Sequence, residues 1–97
     1  MSPNHEPRVV DNTARQRFEL ETEYGTAFAD YHVDSETITF PHTVVPRAAE
    51  GRGVGSKLIA AALAAARERG LTVVPLCSFV AAYIERHPET QDQVRGY

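Results

Sequence analysis

Apolar and polar residues alternate along the first half of the chain with the period of β-strands. Phe18 and Leu20 alternate with charged residues between Ala14 and Thr22, which predicts a half-buried strand. Two further alternating stretches, Thr26 to Val33 and Thr37 to Val45, predict a second and a third strand. Because short polar turns join the three strands, we expect an antiparallel meander.

The third predicted strand contains a proline, Pro41, near its middle. Proline has no backbone N–H to donate to a neighbouring strand. We therefore expect a β-bulge or a strand edge at Pro41, where something other than a neighbouring strand can pair with the backbone.

The second half of the chain changes to helical spacing. Between Gly53 and Arg69 the apolar residues recur every three or four positions, which predicts a long amphipathic helix. Gly70 follows at the position where a left-handed residue commonly ends a helix. The residues predicted to face inward are Val54, Leu58, Ile59, Ala62, Leu63 and Ala65.

Two further elements are predicted after this helix. The continuous apolar run from Leu71 to Leu76 is typical of a strand covered on both faces, so we expect it at the centre of the sheet. Ser78 is placed to cap a final helix that ends before Pro88. The polar segment from Glu89 to Tyr97 is expected to be mobile.

The elements follow each other in the order strand, strand, strand, helix, strand, helix. A crossover helix places the fourth strand parallel to the third through a right-handed connection. The predicted fold is therefore α+β: an antiparallel meander followed by a parallel β-α-β crossover, with helices against one mixed sheet. Residues 1–13 have little to bury and are expected to form a flexible leader, and residues 14–97 a single domain.

The composition fits one small domain. The chain has 97 residues, of which 42% are apolar and 24% charged. Its net charge of −3 is not gathered in blocks, so we expect neither nucleic acid nor a membrane as a partner. The single cysteine, Cys77, excludes an internal disulfide and a cysteine-based zinc cluster, and no apolar run is long enough to span a bilayer. We expect a cytoplasmic protein without a metal ion.

Three glycines at alternate positions open the long helix: Gly51, Gly53 and Gly55. Glycine lets a ligand approach the main chain closely, and the first N–H groups of a helix lack acceptors within it. This combination predicts an anion site, most naturally for phosphate. The spacing fits neither the dinucleotide fingerprint nor the P-loop of nucleotide triphosphatases, because both need glycine where Ser56 stands.

The glycine segment, Glu50-Gly51-Arg52-Gly53-Val54-Gly55, resembles the motif [Q/R]-x-x-G-x-[G/A] of the GNAT acetyltransferase superfamily, with Glu50 in place of Gln or Arg. Three further stretches extend the likeness over nearly the whole chain after Ala14: His42 to Pro46, Val74 to Val80 and Ile84 to Glu89. The chain is most similar to the minimal, single-domain GNAT proteins.

The resemblance implies that acetyl-CoA lies where the strands ending at Val45 and Leu76 part. The pyrophosphate would meet the N–H groups from Gly51 to Ser56, and the pantetheine arm would pair with the main chain of the third strand. Arg52 and Lys57 are expected partners for the CoA phosphates. The residues expected to bind the cofactor are Thr43, Val44, Val45, Gly51, Arg52, Gly53, Val54, Gly55, Ser56 and Lys57.

Three side chains are candidates for catalysis. His42 ends the third strand beside the expected acetyl position and can act as a base, or it can be a structural histidine. Cys77 lies across the cleft and can accept the acetyl group with His42 as its base, or it can pack as a small apolar residue. Tyr83 aligns with the tyrosine that many GNAT enzymes use as general acid toward the CoA sulfur. His87 suits a structural role at a helix end better than catalysis.

The leading hypothesis is an acetyltransferase that moves an acetyl group from acetyl-CoA to a primary amine: a protein lysine, a polyamine or a small metabolite. Transfer is either direct or through Cys77. The alternatives are a non-catalytic CoA or acyl-CoA binding module, acting as sensor or carrier, and a small regulatory domain that dimerises through its sheet. The acidic excess favours a cationic acceptor. Both a monomer and a homodimer fit the sequence.

Overall fold

Five strands form a single mixed sheet in the computed structural model, which describes residues 8–97. The strands lie in the order β1-β2-β3-β4-β5, antiparallel up to β4 and parallel between β4 and β5. The predicted meander and crossover are confirmed. The elements are β1 (Val10–Asn12), β2 (Arg17–Thr22), β3 (Gly25–Asp34), β4 (Thr37–Val44), α1 (Val54–Glu68), β5 (Thr72–Val74), α2 (Ser78–Arg86) and two 3-10 helices, Arg47–Ala49 and Pro88–Gln93.

Both α-helices pack on the same face of the sheet. The inward residues of the strands alternate with polar ones, as a period of two requires, and form one apolar cluster with the two helices. Its fully buried members include Leu20, Ile38, Phe40, Leu58, Leu63, Val80 and Ile84. The opposite face, which we call the open face, carries half-buried and exposed side chains, and no helix within residues 8–97 covers it.

A β-bulge interrupts β4 at Pro41, as its missing N–H predicts. The register of β4 against β3 shifts between Asp30 and His32. Asp30 lies opposite His42, whereas His32 lies opposite Thr39, so one residue of β3 faces two of β4. Ile38 and Phe40 point into the core before the bulge, and after it Thr43 is the residue on the inner face.

Strand β1 falls in the segment that we expected to be a flexible leader. Val10 to Asn12 pair with β2 at the edge of the sheet. The Tyr31 hydroxyl donates to the Asp11 carboxylate at 2.6 Å, and the Asn12 amide donates to Glu19 at 3.2 Å. Three residues are too few for a recognisable alternation, so the sequence pattern missed this strand. Residues 1–7 of the expected leader lie outside the described residues.

Strand β5 lies at the edge of the sheet, so its predicted central position is wrong. It is only three residues long, and among them only Val73 is buried. The apolar run continues to Leu76, but Pro75 offers no N–H and Leu76 is 69% exposed. A continuous apolar run is ambiguous by itself, since it also occurs where a strand ends beside a cleft.

The helices begin and end close to the predicted residues. Gly70 follows α1 with φ of 69°, in the left-handed conformation that its position predicts. Helix α2 stops before Pro88, also as predicted. Its N-cap is Cys77 rather than Ser78, because Ser78 already has helical geometry. No helix within residues 8–97 is long and apolar enough to cross a membrane.

The segment after Pro88 is ordered against α1, so its predicted mobility is wrong. Its residues Pro88 to Gln93 form a 3-10 helix. The buried Gln93 amide donates to the Leu63 carbonyl at 2.9 Å, and Arg67 forms an ion pair with Asp92 at 2.8 Å. The sequence pattern did not predict this contact, because the segment is polar and packs through hydrogen bonds rather than through an apolar face.

The buried hydroxyl of Tyr31 should show in the pH dependence of stability. Burial, and then the hydrogen bond to Asp11, raise the pKa of Tyr31 from 10.0 to about 12. A group whose folded pKa is raised stabilises the fold at lower pH, and this contribution is lost as the pH rises through the folded pKa.

We expect the free energy of unfolding to fall between pH 10 and about 12, by on the order of 2 kcal/mol more in the unaltered protein than in Tyr31→Phe. Urea unfolding of both proteins across this range measures the difference. Equal pH dependence in the two proteins would contradict the raised pKa of Tyr31.

Candidate active site

Strands β4 and β5 pair over three residues and then separate. The parallel ladder runs from Thr37 opposite Thr72 to Thr39 opposite Val74. The Cys77 N–H then donates to the Phe40 carbonyl at 2.8 Å, the last backbone bond between the two segments within the described residues. Residues 41–44 of β4 extend beyond it, so a gap opens beside them. The resemblance implies such a gap.

A cavity of about 480 Å³ lies at this gap and reaches the start of α1. Gly51 and Gly53 have φ values of 80° and 79°, a conformation that other residues rarely adopt. The N–H groups of the first helical residues have no acceptor one turn earlier and point toward this end of the helix. The lining residues are Thr43, Val45, Ala49, Glu50, Gly51, Gly53, Val54, Gly55, Ser56, Phe79 and Arg86.

Gly55 allows α1 and α2 to approach each other at the cavity wall. A Cβ at this position would overlap the ring of Phe79, the second residue of α2. The Phe79 ring is 38% exposed and also lines the cavity. The third glycine of the motif is therefore required by helix packing, whereas the other two are required by backbone conformation.

Arg52 and Lys57, predicted to meet phosphates, line a separate cavity of about 400 Å³ on the other side of the α1 N-terminus. The Arg52 Nε donates to the Ala48 carbonyl at 3.1 Å, and its guanidinium carbon lies 5.0 Å from the centre of the Tyr24 ring. The cation that lines the cleft cavity is Arg86. The sequence could have indicated this role, because Arg86 follows Phe79 by seven residues, which is two helical turns along the same face of α2.

Cys77 contacts Thr43 across the gap. The thiol sulfur lies 3.4 Å from the Thr43 hydroxyl oxygen. Burial acts to raise the pKa of the Cys77 thiol, but hydrogen bonds from the Thr43 hydroxyl and from the N–H groups of Val80 and Phe79 outweigh it, so the pKa lies below its ordinary value. Cys77 is thus a half-buried thiol at a helix N-terminus, with a partly stabilised thiolate.

His42 lies on the open face of the sheet, next to Thr43 in the chain. It is exposed, and its ring makes an edge contact with the Phe28 ring at 6.4 Å between centres. Successive residues of a strand point to opposite faces, which places Thr43 and Cys77 on the side of the helices. No hydrogen bond within the described residues joins His42 to Cys77. The side chain of Val44 lies on the same face as His42, and the main chain of Val44 borders the gap.

Tyr83 is separated from the cleft. It is buried beside α1 in a different cavity of about 400 Å³, and its ring stacks on His87 at 3.8 Å between centres. Burial, and then the charge of Glu89, raise the pKa of Tyr83. The His87 Nδ1 lies 2.7 Å from the Tyr83 carbonyl oxygen, in agreement with its predicted structural role. Tyr83 therefore packs the helices together, and the structure does not bring it to His42 or Cys77.

Two comparisons with known proteins agree with this geometry. Residues 17–93 match the family model described as GCN5-related N-acetyl-transferase. The fold is similar to the NMR solution structure of a GCN5-like protein from Staphylococcus aureus, with 29% sequence identity and a TM-score of 0.71, over 99% of this chain and 93% of that chain. The chain belongs to the GCN5-related N-acetyltransferase family. Acetyl-CoA is the cosubstrate that this family implies.

The donors present are consistent with that cosubstrate. Within residues 8–97, no group of three His, Cys, Asp or Glu side chains is arranged to hold a metal ion. The cleft instead offers main-chain N–H groups, a guanidinium and an apolar wall, which suit a diphosphate joined to an extended amide-containing arm. Residues in the cleft cavity cover most of the predicted cofactor set.

The environment of Cys77 predicts its reactivity. Thr43→Val removes a hydroxyl that stabilises the thiolate, so we expect the pH midpoint for alkylation of Cys77 by iodoacetamide to rise by about one unit. Thr39→Val, at an outward position of the same strand, is the control and should leave the midpoint unchanged. The same midpoint in Thr43→Val and the unaltered protein would show that the hydroxyl has no such effect.

Because Gly55 contacts Phe79, we expect the effect of Gly55→Ala on the free energy of unfolding to change sign when Phe79 is replaced by alanine. Gly55→Ala should lower the free energy of unfolding by about 1–3 kcal/mol, because the added methyl meets the ring. In a Phe79→Ala background the same change should stabilise by up to about 1 kcal/mol, since alanine favours the helix. Urea unfolding of the four proteins measures both effects. A similar effect of Gly55→Ala in both backgrounds would contradict the contact.

Proposed function

We propose that the protein transfers an acetyl group from acetyl-CoA directly to a primary amine, with His42 as the base. The observation that carries this proposal is the gap: β4 and β5 separate after Phe40 beside a cavity at the N-terminus of α1. A thioester placed in that gap lies between the inner face, with Cys77, and the open face, with His42. Family membership supports acetyl transfer as the general chemistry.

The residues along the cleft suit the successive parts of acetyl-CoA, from the diphosphate to the thioester. The diphosphate would bind the N–H groups from Gly53 to Ser56, with Arg86 as a neighbouring cation. The main chain of residues 43–45 would pair with the amides of the pantetheine arm as an added strand. One N–H of this segment would donate to the thioester oxygen and stabilise the negative charge that forms on it during transfer.

The reaction removes two protons from an ammonium acceptor, one before the attack and one after it. A primary amine binds as an ammonium ion, loses a proton to the His42 imidazole and attacks the thioester carbon with its freed electron pair. The C–N bond forms, the C–S bond breaks, and the electron pair of that bond leaves with the CoA thiolate. The thiolate takes up the second proton of the attacking nitrogen, and the proton on His42 passes to solvent.

The geometry favours direct transfer over a route through Cys77. A covalent route has no basic side chain hydrogen-bonded to the Cys77 thiol within the described residues, and it would depend on the thiolate that the Thr43 hydroxyl and the α2 N–H groups partly stabilise. His42 is on the other face of the strand. Cys77 then has no covalent role, and its thiol contacts Thr43, a residue that lines the cleft.

Turnover of acetyl-CoA with a panel of primary amines, followed by release of free thiol, tests the proposal. His42→Gln should lower kcat by about a hundredfold or more, because general base catalysis contributes on that scale. Cys77→Ala should keep kcat within about threefold of the unaltered protein. CoA affinity, measured by calorimetry, should be similar in all three proteins.

Two outcomes would redirect the assignment. Tight CoA binding without turnover of any amine would favour a binding module that senses or carries acyl-CoA. Loss of turnover in Cys77→Ala with unchanged CoA affinity, together with an acetylated Cys77 in the mass spectrum, would establish the covalent route instead.

A further inference from the structure

The surroundings of His42 on the open face contain side chains to which the reaction above gives no role. Asp30 lies directly opposite His42 on β3, and Phe28 lies directly opposite Val44. We call these four residues the acceptor patch. Directly opposed residues of antiparallel strands have Cβ atoms about 4.5–5.5 Å apart and point to the same face. The patch therefore places a carboxylate, an imidazole and two apolar side chains side by side at the mouth of the gap.

The charges around the patch are arranged so that Asp30 is the carboxylate nearest to His42. Arg17 also lies opposite Asp30, but its Nε donates to Glu19 at 2.7 Å and its guanidinium carbon lies 4.2 Å from the centre of the Phe28 ring. The arginine is thus held over the ring and paired with another acid. Glu21, the remaining acid of β2 on this face, is bonded by the Thr26 hydroxyl and lies toward the far end of the strand.

We propose that Asp30 binds the ammonium group of the acceptor and thereby selects primary alkylamines, a proposal that rests on the function proposed above. An ammonium ion between Asp30 and His42 has a counter-ion on one side and its base on the other. Val44, together with the part of the Phe28 ring that Arg17 does not cover, offers an apolar surface to the carbon chain behind it. The acceptor enters from the open face, whereas acetyl-CoA occupies the cleft beside the helices, so the two substrates do not compete for space.

The kinetics of n-butylamine acetylation at saturating acetyl-CoA test this role. Asp30→Asn should raise KM about fivefold, the scale of a partly exposed ion pair, and change kcat by less than about twofold. Asp30→Glu keeps the charge and should retain most of the affinity. Glu21→Gln removes the same charge from the same face, farther from His42, and should leave KM unchanged.

A cation that cannot be acetylated separates binding from chemistry. Butyltrimethylammonium should inhibit competitively against n-butylamine, with an inhibition constant about fivefold higher in Asp30→Asn than in the unaltered protein. In the CoA-bound protein it should also shift the NMR signals of the His42 ring.

Each of the other outcomes would overturn a stated part of the proposal. Equal rises of KM in Asp30→Asn and Glu21→Gln would reduce the effect to the general charge of the face. A fall of kcat at constant KM in Asp30→Asn would make Asp30 a positioning residue for His42 instead. An unchanged KM in Asp30→Asn, with normal turnover, would refute the role of Asp30 alone. Absence of turnover in the unaltered protein would refute the proposed function, and this inference with it.

Discussion

The separation of β4 from β5 is the constraint on which the rest of the site depends. A parallel pair of strands normally satisfies its backbone groups along its whole length, and here the pairing covers three residues. The chain leaves the sheet at Pro75, and the Cys77 N–H makes the last bond to Phe40. The backbone of β4 beyond that point stays available, and helix α2 begins where the partner strand would have continued.

The two helices then define what the gap can hold. Gly51 and Gly53 turn the chain with positive φ so that α1 starts at the gap with its N–H groups directed toward it. Gly55 lets the Phe79 ring of α2 lie against α1, which closes the cavity on one side without filling it. The turn into the helix N-terminus and the packing of the two helices are thus combined in five residues of sequence.

The sequence predicted both α-helices and four of the five strands, and it missed β1 and the C-terminal 3-10 helix. The alternation around Phe18 and Leu20 and the helical spacing from Val54 onward are long enough to identify β2, β3, β4 and α1. Strand β1 and the C-terminal 3-10 helix are held by hydrogen bonds to Tyr31 and Leu63, partners that no local pattern reveals. Strand β5 was placed at the centre because apolar composition does not distinguish a covered strand from one that ends beside a cleft.

The candidate site was predicted to a similar extent. The glycine motif located the cavity, and the family that the resemblance indicated is confirmed. The sides on which Arg52, Lys57 and Tyr83 lie depend on how α1 and α2 are rotated against the sheet and each other, which is a property of the packed core. The contribution of Arg86 and the pairing of Asp30 with His42 required the three-dimensional register.

The bulge at Pro41 has a consequence for how this chain tolerates insertions and deletions. If β4 ran through the same residues without a bulge, the alternation of inward and outward side chains would continue unchanged from Phe40, and the His42 imidazole would turn toward the helices while the Thr43 hydroxyl turned to solvent. Deleting Pro41 would remove the extra residue and leave His42 and Thr43 on their present faces, whereas an inserted residue that the bulge does not absorb would exchange the two faces of the candidate site without altering any of its side chains. The length of β4 is as much a part of the active site as its composition.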